Sequence, residues 1–408
     1  MGGSERAEAA RPRALDVFLT ALGLGMTSFG GPVAHIGYFE RVYVRKRAWL
    51  SEEEFAGIVA LCQMLPGPTS SQAGWLIGLK RAGWPGAIAA WIGFTLPSAL
   101  LMFGFALLAP KLTGPTALAV LHGLKLAAVA VVAQAVWSMA RRLTPDVSRA
   151  AIAVGAAVIL LMVASATAQV LALTLGALVG VFVCRNLSAP PAAPNLPVGP
   201  RAGAMALALF LILLLALPMA AQGQGHRPVA LAAIFYRAGA LVFGGGQVIL
   251  PLLRGALVPP GWLADPPFLA GYGATLALPG PLSSFAAYLG AVVAPVGSSL
   301  GNRALWAAMA LGFIYLPGLL IAVAGAPLWT WFSGHRLARG ALGGVNAAVV
   351  GVLAAALYNP IWKSSVASPL DVAIAAVGFL LFERFRAPPI LVVTLCVVAS
   401  VAAAFAGR

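Results

Sequence analysis

Carboxylates are scarce in this chain: 11 Asp and Glu among 408 residues, against 26 Lys and Arg, with only 9% of all residues charged. A soluble domain carries about a quarter, so there is too little polar surface here to wrap a water-soluble globule. Nearly all the acids map to termini, loops or the ends of apolar runs, among them Glu5, Glu8, Asp16, Glu40, Asp146, Asp265, Asp371 and Glu383. An interior without carboxylates poorly suits a hard metal cation, which needs oxygen ligands. It also leaves little for an Asp/Glu/His proton relay; His35 and His122 are the only interior candidates, and ordinary packing is the simpler reading of each. Cysteine is equally sparse. Cys62, Cys184 and Cys396 share no close spacing, which excludes a disulfide framework and a metal motif. HExxH is absent, and the serines discussed below have no base nearby in sequence, so serine or metallo-hydrolase chemistry is not expected. No cofactor is expected either. The basic residues are scattered as singles and small clusters rather than gathered on one soluble face, which argues against nucleic acid as a partner.

What is abundant is apolar. Hydrophobic residues make up 61% of the chain and mean hydropathy is +0.94. The runs are continuous and rich in Ala and Leu rather than alternating, so helices and not barrel strands are predicted. Thirteen candidate membrane segments occur, at about 14–38, 52–80, 84–109, 115–140, 149–166, 168–184, 202–222, 228–252, 266–291, 304–331, 340–358, 369–385 and 389–407. The polar start leads directly into the first run with no evident cleavable signal, and that first segment is expected to be retained.

The chain repeats itself. "QMLPGPTSSQ" at 63–72 is answered by "LALPGPLSSF" at 276–285, "SFGG" at 28–31 by "VFGGG" at 242–246, and "GFTLP" at 93–97 by "GFIYLP" at 312–317. The fold class expected is therefore an all-α polytopic membrane protein of two homologous helical repeats, each broken at its PGP motif. The parts are a polar tail (1–13), a first repeat (14–186), a Pro-rich linker with a connecting membrane segment (187–227) and a second repeat (228–408). Lys and Arg mark cytoplasmic loops. If each LPGP segment crosses once and the N-terminus is cytoplasmic, Arg141, Arg142, Arg149, Arg336, Arg339, Arg384 and Arg386 fall inside. Letting these segments dip and return throws the last four outside. A broken crossing is favoured, and six crossings per half plus a connector make the halves inverted. The loop 40–54, with four basic residues, dissents.

A break in a helix within hydrocarbon leaves backbone groups unpaired at several kcal/mol each and survives only where protein or water meets it. In transporters such breaks sit near the midplane with half-helix N-termini facing anions. Pro66 and Pro68 stop one half-helix and Gly67 lets the chain turn. Thr69, Ser70 and Ser71 can cap the next or donate to a ligand. Pro279, Gly280, Pro281, Ser283 and Ser284 repeat the arrangement. Gly30, Gly31, Gly244 and Gly245 allow close helix contact or a backbone anion nest, close packing being the simpler account. Lys125 and Arg237 lie inside apolar runs, where a cation is costly unless it snorkels or serves an anion. Pro97 and Pro317 read as kinks. Cations, hydroxyls and helix N-termini together suit an anion.

These residues resemble the chromate ion transporter (CHR) family in its long, two-domain form. That family carries a signature of the form GG-x12-V-x4-W-x16-PGP, and here Gly30-Gly31, Val44, Trp49 and Pro66-Gly67-Pro68 meet every spacing. The second half keeps Gly244-Gly245, Trp262 and Pro279-Gly280-Pro281 but is one residue short before the Trp and lacks the Val. The resemblance implies export of chromate from the cytoplasm across a bacterial inner membrane, giving chromate resistance. The expected partners are a tetrahedral oxyanion and the lipid bilayer, with a homodimer left open. Sulfate or another oxyanion, moving inward, is the alternative, because chromate and sulfate are dianions of similar shape.

Overall fold

The computed structural model describes residues 2–109, 114–163, 166–184, 195–222, 227–242 and 248–406. Among them every regular element is helical, as the continuous apolar runs predicted. The first half holds α1 (Gly2–Thr27), α2 (Gly31–Phe39, continued by a π-helical turn at Glu40–Lys46), α3 (Glu52–Met64), α4 (Thr69–Leu108), α5 (Pro115–Leu143), α6 (Val147–Met162) and α7 (Ala166–Val183). Helix α8 (Pro200–Ala220) connects to α9 (Arg227–Ala240), α10 (Ile249–Leu257), α11 (Asp265–Ala277), α12 (Phe285–Val292), α13 (Leu300–Gly334), α14 (Arg336–Ala356), the short α15 (Lys363–Ser365), α16 (Pro369–Phe385) and α17 (Pro389–Phe405). Among the described residues five helical stretches are long and apolar enough to cross a membrane: Thr69–Leu108, Pro115–Leu143, Pro200–Ala220, Leu300–Trp329 and Arg336–Ser365. The chain is thus a multi-pass membrane protein.

Local chemistry sets the helix starts. Ser51 accepts from Glu54 N while Glu54 reaches back to Ser51 N, a capping box that opens α3. Ser368 and Asp371 do the same for α16, and Asp146 caps α6. Between helices, glycines permit backbone contact. A Cβ on Gly344 would lie 1.9 Å from the Gly176 carbonyl oxygen, and one on Gly351 would lie 2.0 Å from that of Ala153. Such small-residue seams are how helices associate in lipid.

The LPGP segments do not cross. Glu54, in the first turn of α3, pairs with Lys80 at 2.5 Å, and the Arg81 guanidinium lies 5.1 Å from the Trp49 ring centroid. The start of α3 and the end of the half-helix that follows PGP are therefore neighbours, and the segment is a hairpin. Straight after it the chain reverses again. Ala82 (φ −143°) and Gly83 (φ +64°) leave helical geometry, and Gly78 and Gly86 pack so closely that a Cβ on either would lie 2.3 Å from the other's carbonyl oxygen. Only the second part of α4 is a full-length helix. The second half matches: Tyr288 donates to the Pro267 carbonyl at 2.9 Å, and the Phe268 and Phe285 rings meet edge to face at 5.2 Å, so α11 and α12 lie side by side.

The first apolar run also doubles back. Asp16, near the start of the apolar part of α1, pairs with Arg47 at 3.0 Å, just beyond α2 and its π-helical turn. The broken-crossing expectation is thus corrected. It failed because it treated the GG and PGP interruptions separately, whereas both are tips of hairpins. The dissenting loop 40–54 is explained, since it lies beside the start of α1 rather than across the molecule from it.

Candidate functional site

The hairpin tips meet, and they meet crosswise. Gly67 N donates to the Val242 carbonyl at 2.6 Å, and Gly280 N donates to the Ser28 carbonyl at 2.8 Å. Ser28 and Val242 hold equivalent places, two residues before each glycine run. Each half therefore supplies the acceptor that satisfies the amide exposed by the other half's PGP break, the accounting that a break in lipid demands. The contact extends to the long helices. Gly67 (φ +129°) lies against Gly318, so that an added Cβ would be 2.8 Å from Gly318 Cα, while Gly280 (φ +95°) faces Ser98, with 2.9 Å to its Oγ. Ser98 and Gly318 directly follow Pro97 and Pro317. Pro97 sits inside the second part of α4 and Pro317 inside α13.

Gln72 ties the first break down. Its Nε2 donates to the Pro66 carbonyl at 2.8 Å and to the Gly318 carbonyl at 2.9 Å. The hydroxyls do not cap as expected. Pro68 and Pro281 occupy the N-cap positions and lend no side-chain bond. Thr69, Ser70 and Ser71 are buried in the first turn, and Ser70 Oγ lies 3.2 Å from His35 Nδ1. Ser284 donates to the Pro281 carbonyl at 2.8 Å.

Beside this junction lies a cleft of about 380 Å³. Gly30, Gly31, Phe29, Ala34 and Tyr38 line one wall, Val131 and Gln134 on α5 another, and Thr275, Leu276, Leu278, Gly280 and Leu282 a third. The turn between α16 and α17, from Arg386 to Pro389, borders the rest. Gly30 and Gly31, at the N-terminus of α2, have φ of +100° and +76° and both border the cleft. Arg386 adopts φ +50°, a conformation that few non-glycine residues hold. No carboxylate lines this space, and among the described residues Arg386 makes no ion pair. A cation, two glycine-run amides and a carboxylate-free wall can attract and hold an anion.

The two cations expected from the sequence, Lys125 and Arg237, do not line this cleft. Lys125 is half-buried on α5, within electrostatic reach of Asp265, which Arg254 holds in a two-bond pair at 2.7 and 2.5 Å. The structure does not gather it with the hairpin tips. Arg237 is exposed on α9 between buried neighbours. Gly244 and Gly245 lie outside the described residues. Arg386 and Gln134 at the cleft and Gln72 at the first break were not singled out in the sequence as candidate site residues.

A family model described as "Chromate transporter" matches residues 15–181 and 229–401. The chain is 30% identical over 346 residues to the chromate transport protein of Pseudomonas aeruginosa, covering 83% of this chain and 79% of the relative. It is 25% identical over 390 residues to the chromate transport protein of Cupriavidus metallidurans, covering 91% and 88%. Over 91 residues, 22% of each chain, it is 40% identical to an uncharacterized transporter of Methanocaldococcus jannaschii. No solved structure matches.

Proposed function

The chain belongs to the chromate transporter family, and on that premise we propose that it exports chromate from the cytoplasm through the junction of its two broken repeats, giving chromate resistance. The single observation carrying this reading is the carboxylate-free cleft, where Arg386, the glycine run of one half and the PGP tip of the other converge. A dianion entering it meets donors and positive charge and no repelling acid.

The direction follows from charge. We place Asp16, Arg47, Lys80 and Arg81 at one end of the molecule with Arg141, which lies 3.6 Å from Glu383 on α16, and with Arg384 and Arg386 beyond it. Arg227, Arg254, Arg303 and Lys363 take the other end. The richly basic end is cytoplasmic by the positive-inside rule, in the inner membrane of a bacterium. With two hairpins and four crossings in each half, and α8 between them, the halves are inverted, because paired hairpins leave the parity of the crossings unchanged. The Arg386 cleft then opens to the cytoplasm, where an exported substrate is collected. One charge leaving a negative interior gains about 2.3 kcal/mol per 100 mV, and a dianion about twice that.

Two measurements test this. Expression should lower chromate accumulation in whole cells; raised accumulation would reverse the direction, and competition by excess sulfate would mark the site as a general oxyanion site. Arg386→Gln should raise the KM for chromate by about tenfold, the scale of one lost bond to a charged group. Arg384→Gln, two residues away and outside the cleft, should not. Equal behaviour of the two variants would remove Arg386 from the path.

A further inference from the structure

Close to the cleft lies a group of buried polar atoms that lack well-formed hydrogen bonds among the described residues. The Tyr315 hydroxyl, on α13, faces the hydroxyls of Ser71, Thr95 and Ser283. Yet Tyr315 Oη, Ser71 Oγ and Thr95 Oγ1 all lack a well-formed hydrogen bond among the described residues. The Trp91 ring meets Tyr315 edge to face at 5.7 Å, and its indole N–H is buried and unpaired too. Tyr315 is 0% exposed, and Ser71, Thr95 and Ser283 are each 2% exposed.

Burying one polar group without a partner costs about 1–3 kcal/mol, and native proteins leave few of them. Several gathered at one point need an explanation. Their origins supply one. Ser71, Trp91 and Thr95 come from the first half, Ser283 and Tyr315 from the second. Thr95 and Tyr315 occupy equivalent places, each two residues before a helix proline. Ser283 directly follows Leu282, which lines the cleft. The group thus lies next to the cleft lining, where the halves touch.

Resting on the transport reading above, we propose that Ser71, Thr95, Trp91, Ser283 and Tyr315 form the inner oxyanion subsite, which holds the dianion by neutral hydrogen-bond donors alone. In the state described, the donors are folded against one another. A tetrahedral oxyanion arriving from the cleft parts them and accepts from both halves at once. Neutral donors fit a carrier: they replace hydration without adding a counter-charge that would hold a dianion too tightly to release it.

The test is a single oxygen. Tyr315→Phe keeps the ring and removes only the hydroxyl. In proteoliposomes containing the full chain, the variant should show a KM for chromate raised by about tenfold. Chromate-dependent protection against thermal unfolding should be reduced in parallel, with the unliganded Tm unchanged or higher. Tyr272→Phe removes another buried, unpaired tyrosine hydroxyl outside the group and should leave KM at the wild-type value. Thr95→Val should weaken transport as Tyr315→Phe does. A wild-type KM in Tyr315→Phe overturns the subsite, while the Arg386 comparison still decides the cleft. A wild-type protein that neither transports nor is protected by chromate or sulfate overturns both.

Discussion

Gly67 and Gly280 show how much can rest on a missing side chain. Both hold positive φ, and both press against the opposite half's long helix. Gly67→Ala would impose left-handed strain of about 1–3 kcal/mol and drive a methyl toward Gly318. The expected outcome is loss of transport and a lowered Tm with insertion intact, read by uptake in vesicles and thermal unfolding of purified protein. Gly104→Ala, where the added methyl meets open space, should change neither. The sequence singled out the PGP glycines because proline and glycine inside an apolar run break a helix by simple sterics. It could not show what they touch, since the contact joins residues far apart in the chain. The placement of the cations was hidden for a related reason. Arg237 attracted notice for its apolar neighbours, but a 14-residue helix does not reveal which face is covered. Arg386 looked like a loop charge marking topology, and only its place beside Gly30 gives it another role.

At the scale of elements, hairpins replace crossings. The Glu54–Lys80 pair makes a sharp prediction. Cysteines placed at 54 and 80 should be bridged by a short bifunctional thiol reagent in the full chain. A broken crossing would set them about 40 Å apart, at roughly 1.5 Å per residue, and no bridge could form. Lys80 also draws the Glu54 carboxyl below its usual range. A depressed carboxylate stabilises above its unfolded pKa of about 4.3 and loses that contribution as pH falls through the folded value, so the clasp should hold at neutral pH and loosen only in acid. Helix content was legible from composition, and the breaks from their residues. The return path was half legible: four basic residues in 40–54 contradicted a crossing, and that contradiction was the physical signal of a hairpin.

At the scale of the whole molecule, the proposed topology can be read with an impermeant thiol reagent. Cys62, Cys184 and Cys396 are buried and free, so single cysteines introduced at exposed positions should report cleanly. Positions 45 and 384 should label from the cytoplasmic face only, and 303 and 363 from the opposite face only. Labelling of 45 and 384 from opposite faces would discard the arrangement. The repeat was visible in sequence as a preserved order of landmarks. Its crosswise engagement was not, because no pattern within one half encodes a bond to the other.

That engagement, Gly67 to Val242 and Gly280 to Ser28, has a consequence for the chain's history and its handling. Neither repeat is a self-sufficient unit: alone, each would carry an open amide at its own tip and an idle carbonyl meant for its twin. Severing the chain within 185–201 should yield two fragments that are degraded when made singly and persist when made together.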